Sequence, residues 1–246
     1  MTYPKFKGKH LHGAHFSPSD FLKYRCGSVK GLPKKYIITY QPSALRYFKR
    51  KYKPKKRELY PLLTIYAHKD IGLLKMTGIG SPNAAAVFEE LIALGGKTFL
   101  NIGTAGGLHN GGIFLCTKAL RDEGTSYHYL PHGHYSYPDK GLTKKFEGFV
   151  KKQGLSYKEG TTWTIDAPYR ETKSEIEHYA KKGISTVEME ASALFAVAKY
   201  RKVKIAAAFV VSDILGKKWE PKFHEFDTVK AQNRLIDAAV ECLWKA

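Results

Sequence analysis

Short runs of almost uninterrupted apolar residues alternate with longer stretches of helical pattern, and this alternation restricts the chain to few architectures. Ile205 to Ser212 is apolar at every position but the last, as strands are when helices cover both faces of a sheet, and Thr98 to Ile102 reads as a second such strand. Tyr36 to Tyr40, Leu62 to Ala67, Ile71 to Thr77, Ile113 to Leu120, Tyr157 to Ile165 and Thr186 to Met189 read as further strands. Between them, Asn83 is placed to cap a helix through Leu94 that stops at Gly95-Gly96, and Thr172 to cap Glu175 to Lys182 before Gly183. Val229, Ile236, Ala239, Val240 and Leu243 share one face of a closing helix. The β-α-β order predicts a three-layer α/β fold with a central mixed, largely parallel twisted sheet flanked by helices. Leu62 to Thr77, turning at Lys69-Asp70, is the expected antiparallel hairpin.

The 246 residues suit one domain spanning residues 1–246, with 1–35 as an N-terminal extension. No apolar run approaches the roughly 20 residues needed to span a bilayer, and Lys, His and Pro are scattered through the first thirty residues where a signal peptide needs an apolar block. A cytoplasmic location without membrane contact is expected. Cys26, Cys116 and Cys242 lack the paired spacing of a metal or redox site, so no metal is expected and reduced thiols are. The net charge of +19 suits an anionic small substrate or a nucleic acid, and decides between neither. Its densest cluster, Lys49 to Arg57, reads as a solvated connection, and Pro131 to Gly141 as a mobile surface loop.

Three segments look chemical. In Asn101-Ile102-Gly103-Thr104-Ala105-Gly106-Gly107 an apolar strand enters a small-residue turn, where backbone N–H groups and the Thr104 hydroxyl can meet an anionic ligand. It completes neither a dinucleotide fingerprint nor a phosphate-binding loop. In Val187-Glu188-Met189-Glu190-Ala191, two carboxylates on one strand face lie among apolar residues and need donors, which paired sugar hydroxyls supply. Capping the next helix is the other role open to Glu190. Phe209-Val210-Val211-Ser212-Asp213 ends an apolar strand on an acid, placed where α/β sheets collect ligands; a turn cap is the alternative for Asp213.

In this order, these segments resemble the nucleoside phosphorylase type I superfamily of purine nucleoside phosphorylases, uridine phosphorylases and related nucleosidases. Gly160 to Asp166 is similar to the segment that carries the family's base-stacking aromatic, and the resemblance runs from about Tyr36 to the C-terminus. It implies a pentosyltransferase of nucleotide salvage that cleaves the N-glycosidic bond of a purine nucleoside. Inorganic phosphate is the implied co-substrate, no cofactor is needed, and the products are free base and ribose 1-phosphate. It further implies that Met189 and Glu190 hold the ribose, with Glu188 beside sugar and base, and that Trp163 lines the base pocket. Asp213 is the implied acid toward N7 of the purine. The resemblance implies that Gly103 and Thr104 form one wall of the phosphate site and that Thr104, Ala105 and Gly106 contact the substrate. The resemblance also implies a homo-oligomer, with one of His10, His12 and His15 reaching the ribose 5′ end of an adjacent site.

The chain departs from the family at two cationic positions. Tyr40-Gln41-Pro42-Ser43-Ala44-Leu45-Arg46 replaces a Gly-Asp-Pro-x-Arg stretch, and Asn101 stands where an arginine precedes the Gly-Thr turn. Arg46, Arg121 and Arg170 are the candidates to replace them. Uridine cleavage, hydrolysis by water, a ligand-sensing role and a nucleic-acid-binding role remain as alternatives.

Overall fold

The computed structural model describes residues 3–216 and 218–245. In chain order the elements are α1 (Pro18–Cys26), β1 (Lys35–Thr39), α2 (Pro42–Tyr52), β2 (Lys55–Tyr60), β3 (Leu63–His68), β4 (Ile71–Lys75), α3 (Ser81–Ala93), β5 (Thr98–Gly107) and β6 (Ile113–Asp122). They continue with β7 (Tyr135–Ser136), α4 (Lys140–Lys152), β8 (Lys158–Ile165), α5 (Lys173–Lys181), β9 (Ile184–Glu188), α6 (Ala191–Arg201), β10 (Lys204–Leu215), β11 (Trp219–Pro221) and α7 (Phe226–Trp244).

The strands form one mixed sheet organised by β5. One edge of β5 pairs β10 in parallel along its length. Its other edge is shared: β1 takes Thr98 to Ile102 in parallel, and β9 takes Gly106 and Gly107 antiparallel. Because β10 also pairs β6, β6 pairs β8 and β8 pairs β9, these strands close into a ring with β5. The open arm β1-β4-β3-β2 extends beyond it. Where β1 leaves β5 and β9 joins it, the sheet parts, and such switch points are where α/β sheets admit ligands. Among the described residues five pairings are parallel and six antiparallel, so the parallel share is smaller than the sequence suggests.

Helices cover both faces, giving the expected three layers. Leu22 of α1, Phe88 and Leu91 of α3 and Phe195 of α6 pack on one side with Tyr36 and Phe99 of the sheet. Phe48 of α2, Phe146 of α4 and Leu235 and Ile236 of α7 pack on the other with Ile37 and Leu100. Each fully buried Leu, Ile or Phe contributes about 1.5–3 kcal/mol.

Several local expectations need correction. Lys49 to Arg57 is the end of α2 and the start of β2: Ala44 and Phe48 bury one face of the helix while its basic side faces solvent. β2 lies at the sheet margin, where exposed Lys55 and Lys56 deter further pairing. Within Pro131 to Gly141, β7 pairs β6, and Asp139 caps α4 by accepting from the Leu142 N–H at 2.7 Å. Gly80 occupies the N-cap of α3, and Asn83 donates instead to the Gly78 carbonyl. Thr172 does cap α5, in a reciprocal capping box with Glu175.

Candidate active site

The glycine segment is strand, not turn. β5 runs on to Gly107 because β10 pairs its far half and β9 joins at Gly106, while Gly103 to Ala105 have, among the described residues, no partner strand on the edge that faces the parting of the sheet. The glycines serve close packing: a Cβ on Gly106 would lie 3.1 Å from Leu215 and Val187, and one on Gly107 would lie 2.5 Å from the Asn110 carbonyl oxygen. Strand β10 likewise continues past Ser212-Asp213. A bulge between Val211 and Asp213 inserts Ser212 and sets Asp213 opposite Gly106.

The carboxylates of the Glu-Met-Glu segment have different partners. β9 ends at Glu188, whose Oε2 accepts from the N–H groups of Glu190 at 2.8 Å and Ala191 at 2.7 Å. Its Oε1 accepts from the Thr164 hydroxyl at 2.5 Å. Glu188 thus satisfies the start of α6, the role the sequence left open to Glu190. Glu190 holds the N-cap position without capping, and its Oε1 accepts from the Gly80 N–H at 2.6 Å. Burial pushes both carboxyls above the ordinary range, and the charge of Glu188 drives Glu190 further. Three donors favour the anion at Glu188, which holds its carboxyl below that of Glu190.

At the parting of the sheet lies a cavity of about 660 Å³. It gathers Thr104, Ala105, Gly106, Glu188, Met189, Glu190 and Asp213 from the sequence-predicted set. Asp213 is held on both oxygens: the Ser212 hydroxyl donates to Oδ1 at 2.9 Å and the Trp219 indole N–H to Oδ2 at 2.8 Å. Pro168, Tyr169, Leu215, Trp219 and Phe223 supply apolar wall. Tyr40 lines the cavity with a buried hydroxyl, and burial together with Glu190 and Glu188 holds it far above its usual range.

Gln41 also lines the cavity and ends a one-way chain of side-chain hydrogen bonds. The Ser43 hydroxyl donates to Gln232 Oε1 at 3.2 Å, Gln232 Nε2 to Gln41 Oε1 at 2.6 Å, and Gln41 Nε2 to Thr104 Oγ1 at 2.7 Å. Since Thr104 accepts, its own proton is left to donate.

Other expected residues lie elsewhere. Trp163 does not line the cavity: it is fully buried, packs against the tilted ring of Tyr179 and donates to Asp122 Oδ2 at 2.8 Å, while strand alternation aims neighbouring Thr164 at Glu188. Gly103 packs beneath the rings of Tyr40 and Phe209. Arg121 is buried, donating to the Ser126 hydroxyl and the Pro131 carbonyl, each at 2.8 Å, and so braces the segment after β6. Arg46 and Arg170 are exposed, and neither lines the cavity. Asn101 is fully buried behind it. Among the described residues no Lys, Arg or His lines the cavity, so His10, His12 and His15 stand outside their own chain's site. The sequence reading omits Tyr40, Gln41, Tyr169, Glu171 and Trp219 from its binding set. Tyr40 and Gln41 lie within the stretch that departs from the family pattern, and Glu171 lies between Arg170 and Thr172, which is the signal available for them.

Residues 36–243 match the family model described as the phosphorylase superfamily. A guanosine phosphorylase of Halorubrum lacusprofundi is 31% identical over 139 residues, covering 55% of this chain and 58% of that protein. A uridine phosphorylase of Treponema pallidum is 31% identical over 151 residues, with the same coverage of 55% and 58%. The chain thus spans less than two thirds of the length of these relatives. In fold, the crystal structure of an AMP nucleosidase from Bacteroides thetaiotaomicron has a TM-score of 0.76 at 23% identity, covering 92% of this chain and 98% of that one. Among the described residues no helix is long and apolar enough to cross a membrane.

Proposed function

The chain belongs to the phosphorylase superfamily, and from that premise we propose that it cleaves the N-glycosidic bond of a purine nucleoside, with inorganic phosphate as acceptor of the sugar. The carrying observation is the placement of Asp213 beside apolar and aromatic wall residues in the cavity that also holds Met189 and Glu190. Breaking the bond builds positive charge on the sugar and negative charge on the departing base. Anionic Glu188 and the carboxyl of Glu190 suit the first, and an acid at Asp213 suits the second. The oriented Thr104 hydroxyl offers one donor to the phosphate.

A second reading, hydrolysis, is favoured by the cavity's lining. A phosphate dianion ordinarily recruits arginine, and no cation lines the cavity among the described residues. Phosphorolysis therefore requires a cation from beyond that lining, such as a neighbouring copy in a homo-oligomer. Water requires only a carboxylate base. Incubating the protein with inosine and guanosine, with and without phosphate, tests both readings. Ribose 1-phosphate formed only with phosphate supports phosphorolysis; free ribose at an unchanged rate supports hydrolysis; no cleavage under either condition overturns the proposal.

A further inference from the structure

Strands β10, β5, β1 and β4 run parallel as neighbours, and β2, beyond β3, runs the same way. The far ends of β1, β5 and β10 lead into the cavity at Gln41, Thr104 and Asp213. The starts of these strands carry lysine. Lys204 opens β10, Lys97 precedes β5, Lys34 precedes β1, Lys69 stands in the turn into β4, and Lys55 opens β2. The first three are joined through their backbones, the Lys204 N–H donating to the Lys97 carbonyl at 3.0 Å and the Lys97 N–H to the Lys34 carbonyl at 2.7 Å. All of these lysines are exposed, and none forms an ion pair among the described residues, while Asp70, the acid of the β3-β4 turn, is taken by Lys35 at 2.8 Å. Neighbouring strands lie about 4.8 Å apart, so from β10 to β2 the lysines form a row about 24 Å long.

We propose that this row, at the end of the sheet away from the cavity, docks the phosphate backbone of duplex DNA without regard to sequence. A row of like charges works against its own repulsion, and a polyanion relieves it. A single small anion is too short to span the row, whereas a duplex strand advances about 3.4 Å per phosphate and lays about seven phosphates along it. A lipid surface calls for apolar side chains that insert beside the charges. Trp244, an exposed ring at this end, has its face covered by Lys69 Nζ at 3.3 Å. A single strand calls for open rings on which bases stack, and here Lys49 Nζ stands over Tyr66 at 5.6 Å. Lysine carries donors alone, so the row offers nothing that accepts from a ribose 2′-hydroxyl; charge is all it reads.

The test titrates a labelled DNA duplex of about 20 base pairs with the full chain, from about 50 to 200 mM salt, and reads fluorescence anisotropy. The logarithm of the association constant is expected to fall linearly with the logarithm of salt, with a slope near −4, about −0.9 for each lysine of the row. Combining Lys34→Gln, Lys55→Gln, Lys97→Gln and Lys204→Gln is expected to weaken binding about tenfold or more and to flatten the slope by about 0.9 per substitution. A control combining Lys158→Gln, Lys173→Gln, Lys181→Gln and Lys182→Gln, all exposed and outside the row, removes the same net charge and is expected to change binding less than about threefold. Equal losses in the two fourfold variants overturn the inference, as does the absence of binding at about 50 mM salt. Tighter binding to single-stranded RNA of the same length, or to vesicles containing phosphatidylserine, overturns it too. Should the fourfold variant fail to fold, the single variants carry the same test, each expected to flatten the slope by about 0.9.

Discussion

The indole N–H of Trp219 lies 2.8 Å from Oδ2 of Asp213, so a residue of the short outer strand β11 fixes the plane of the Asp213 carboxyl at the wall of the cavity. With the Ser212 hydroxyl on Oδ1, two of the carboxylate's lone-pair sites are engaged and the others are left for the ligand. Trp219→Phe keeps an aromatic ring and removes the donor. Turnover of guanosine is expected to fall about tenfold, while 7-methylguanosine, whose leaving group needs no protonation, changes little. Comparing the two substrates separates positioning of the acid from simple packing, since lost packing would slow both.

Asp213 itself should show the same signature more strongly. Asp213→Asn preserves shape and removes the transferable proton, so ordinary purine nucleosides should lose about 10²-fold or more in kcat. Steady-state assays with guanosine and 7-methylguanosine check this, and equal losses would remove Asp213 from the acid role.

The division of labour between Glu188 and Glu190 predicts two different failures. Glu188→Ala strips the acceptor from two N–H groups and the Thr164 hydroxyl, and is expected to cost about 1–3 kcal/mol, visible as an earlier denaturant midpoint. Glu190→Ala should spare stability by comparison but hurt ribonucleosides more than 2′-deoxynucleosides. Matching losses on both sugars would show that Glu190 does not grip the ribose hydroxyls.

Much of this frame was legible from periodicity. The apolar runs of β5 and β10, the β3-β4 hairpin and the Thr172 cap each follow from local patterns of burial or hydrogen-bond need. Strand parity predicts Glu188 and Glu190 on one strand face, but β9 stops at Glu188 and Glu190 stands at the N-cap of α6. Both line the cavity, with duties set by where the strand stops and the helix begins. Trp163 and Thr164 are adjacent, and only the register of β8 against β9 decides which of them faces Glu188. The role of Gln41 depends on Gln232, far along the chain on α7, and no local pattern joins such residues.

The Gln41 chain carries its own expectation. Gln232→Leu removes the group that orients Gln41, freeing the Gln41 amide to turn and Thr104 to lose its fixed polarity. Thr104→Val, Gln232→Leu and the double variant should therefore be non-additive in kcat/KM, the double losing little more than Thr104→Val alone. Full additivity would show the chain to be structural only.

Stability should fall as pH rises across the titration of Glu171. Its carboxyl moves from 4.5 to about 7 on folding, so between those values the native chain holds a proton that the unfolded chain releases. Above pH 7 Glu171→Gln is expected to melt about 2 °C higher than wild type, a modest gain because the group is partly open to solvent. The difference should close below pH 4.5, as thermal melts across that range will show.

The chain's charge of +19 contributes no Lys or Arg to the lining of its cavity among the described residues. Surface potential and local chemistry are therefore separable by ionic strength. Added salt shortens the reach of the surface charges, to about 10 Å at 0.1 M, and weakens their hold on any polyanion or on the approach of an anionic ligand. The carboxylates of Glu188 and Glu190 sit in buried, short-range contacts that such screening scarcely enters. Added salt is therefore expected to alter encounter with an anionic ligand and to leave contacts inside the cavity standing.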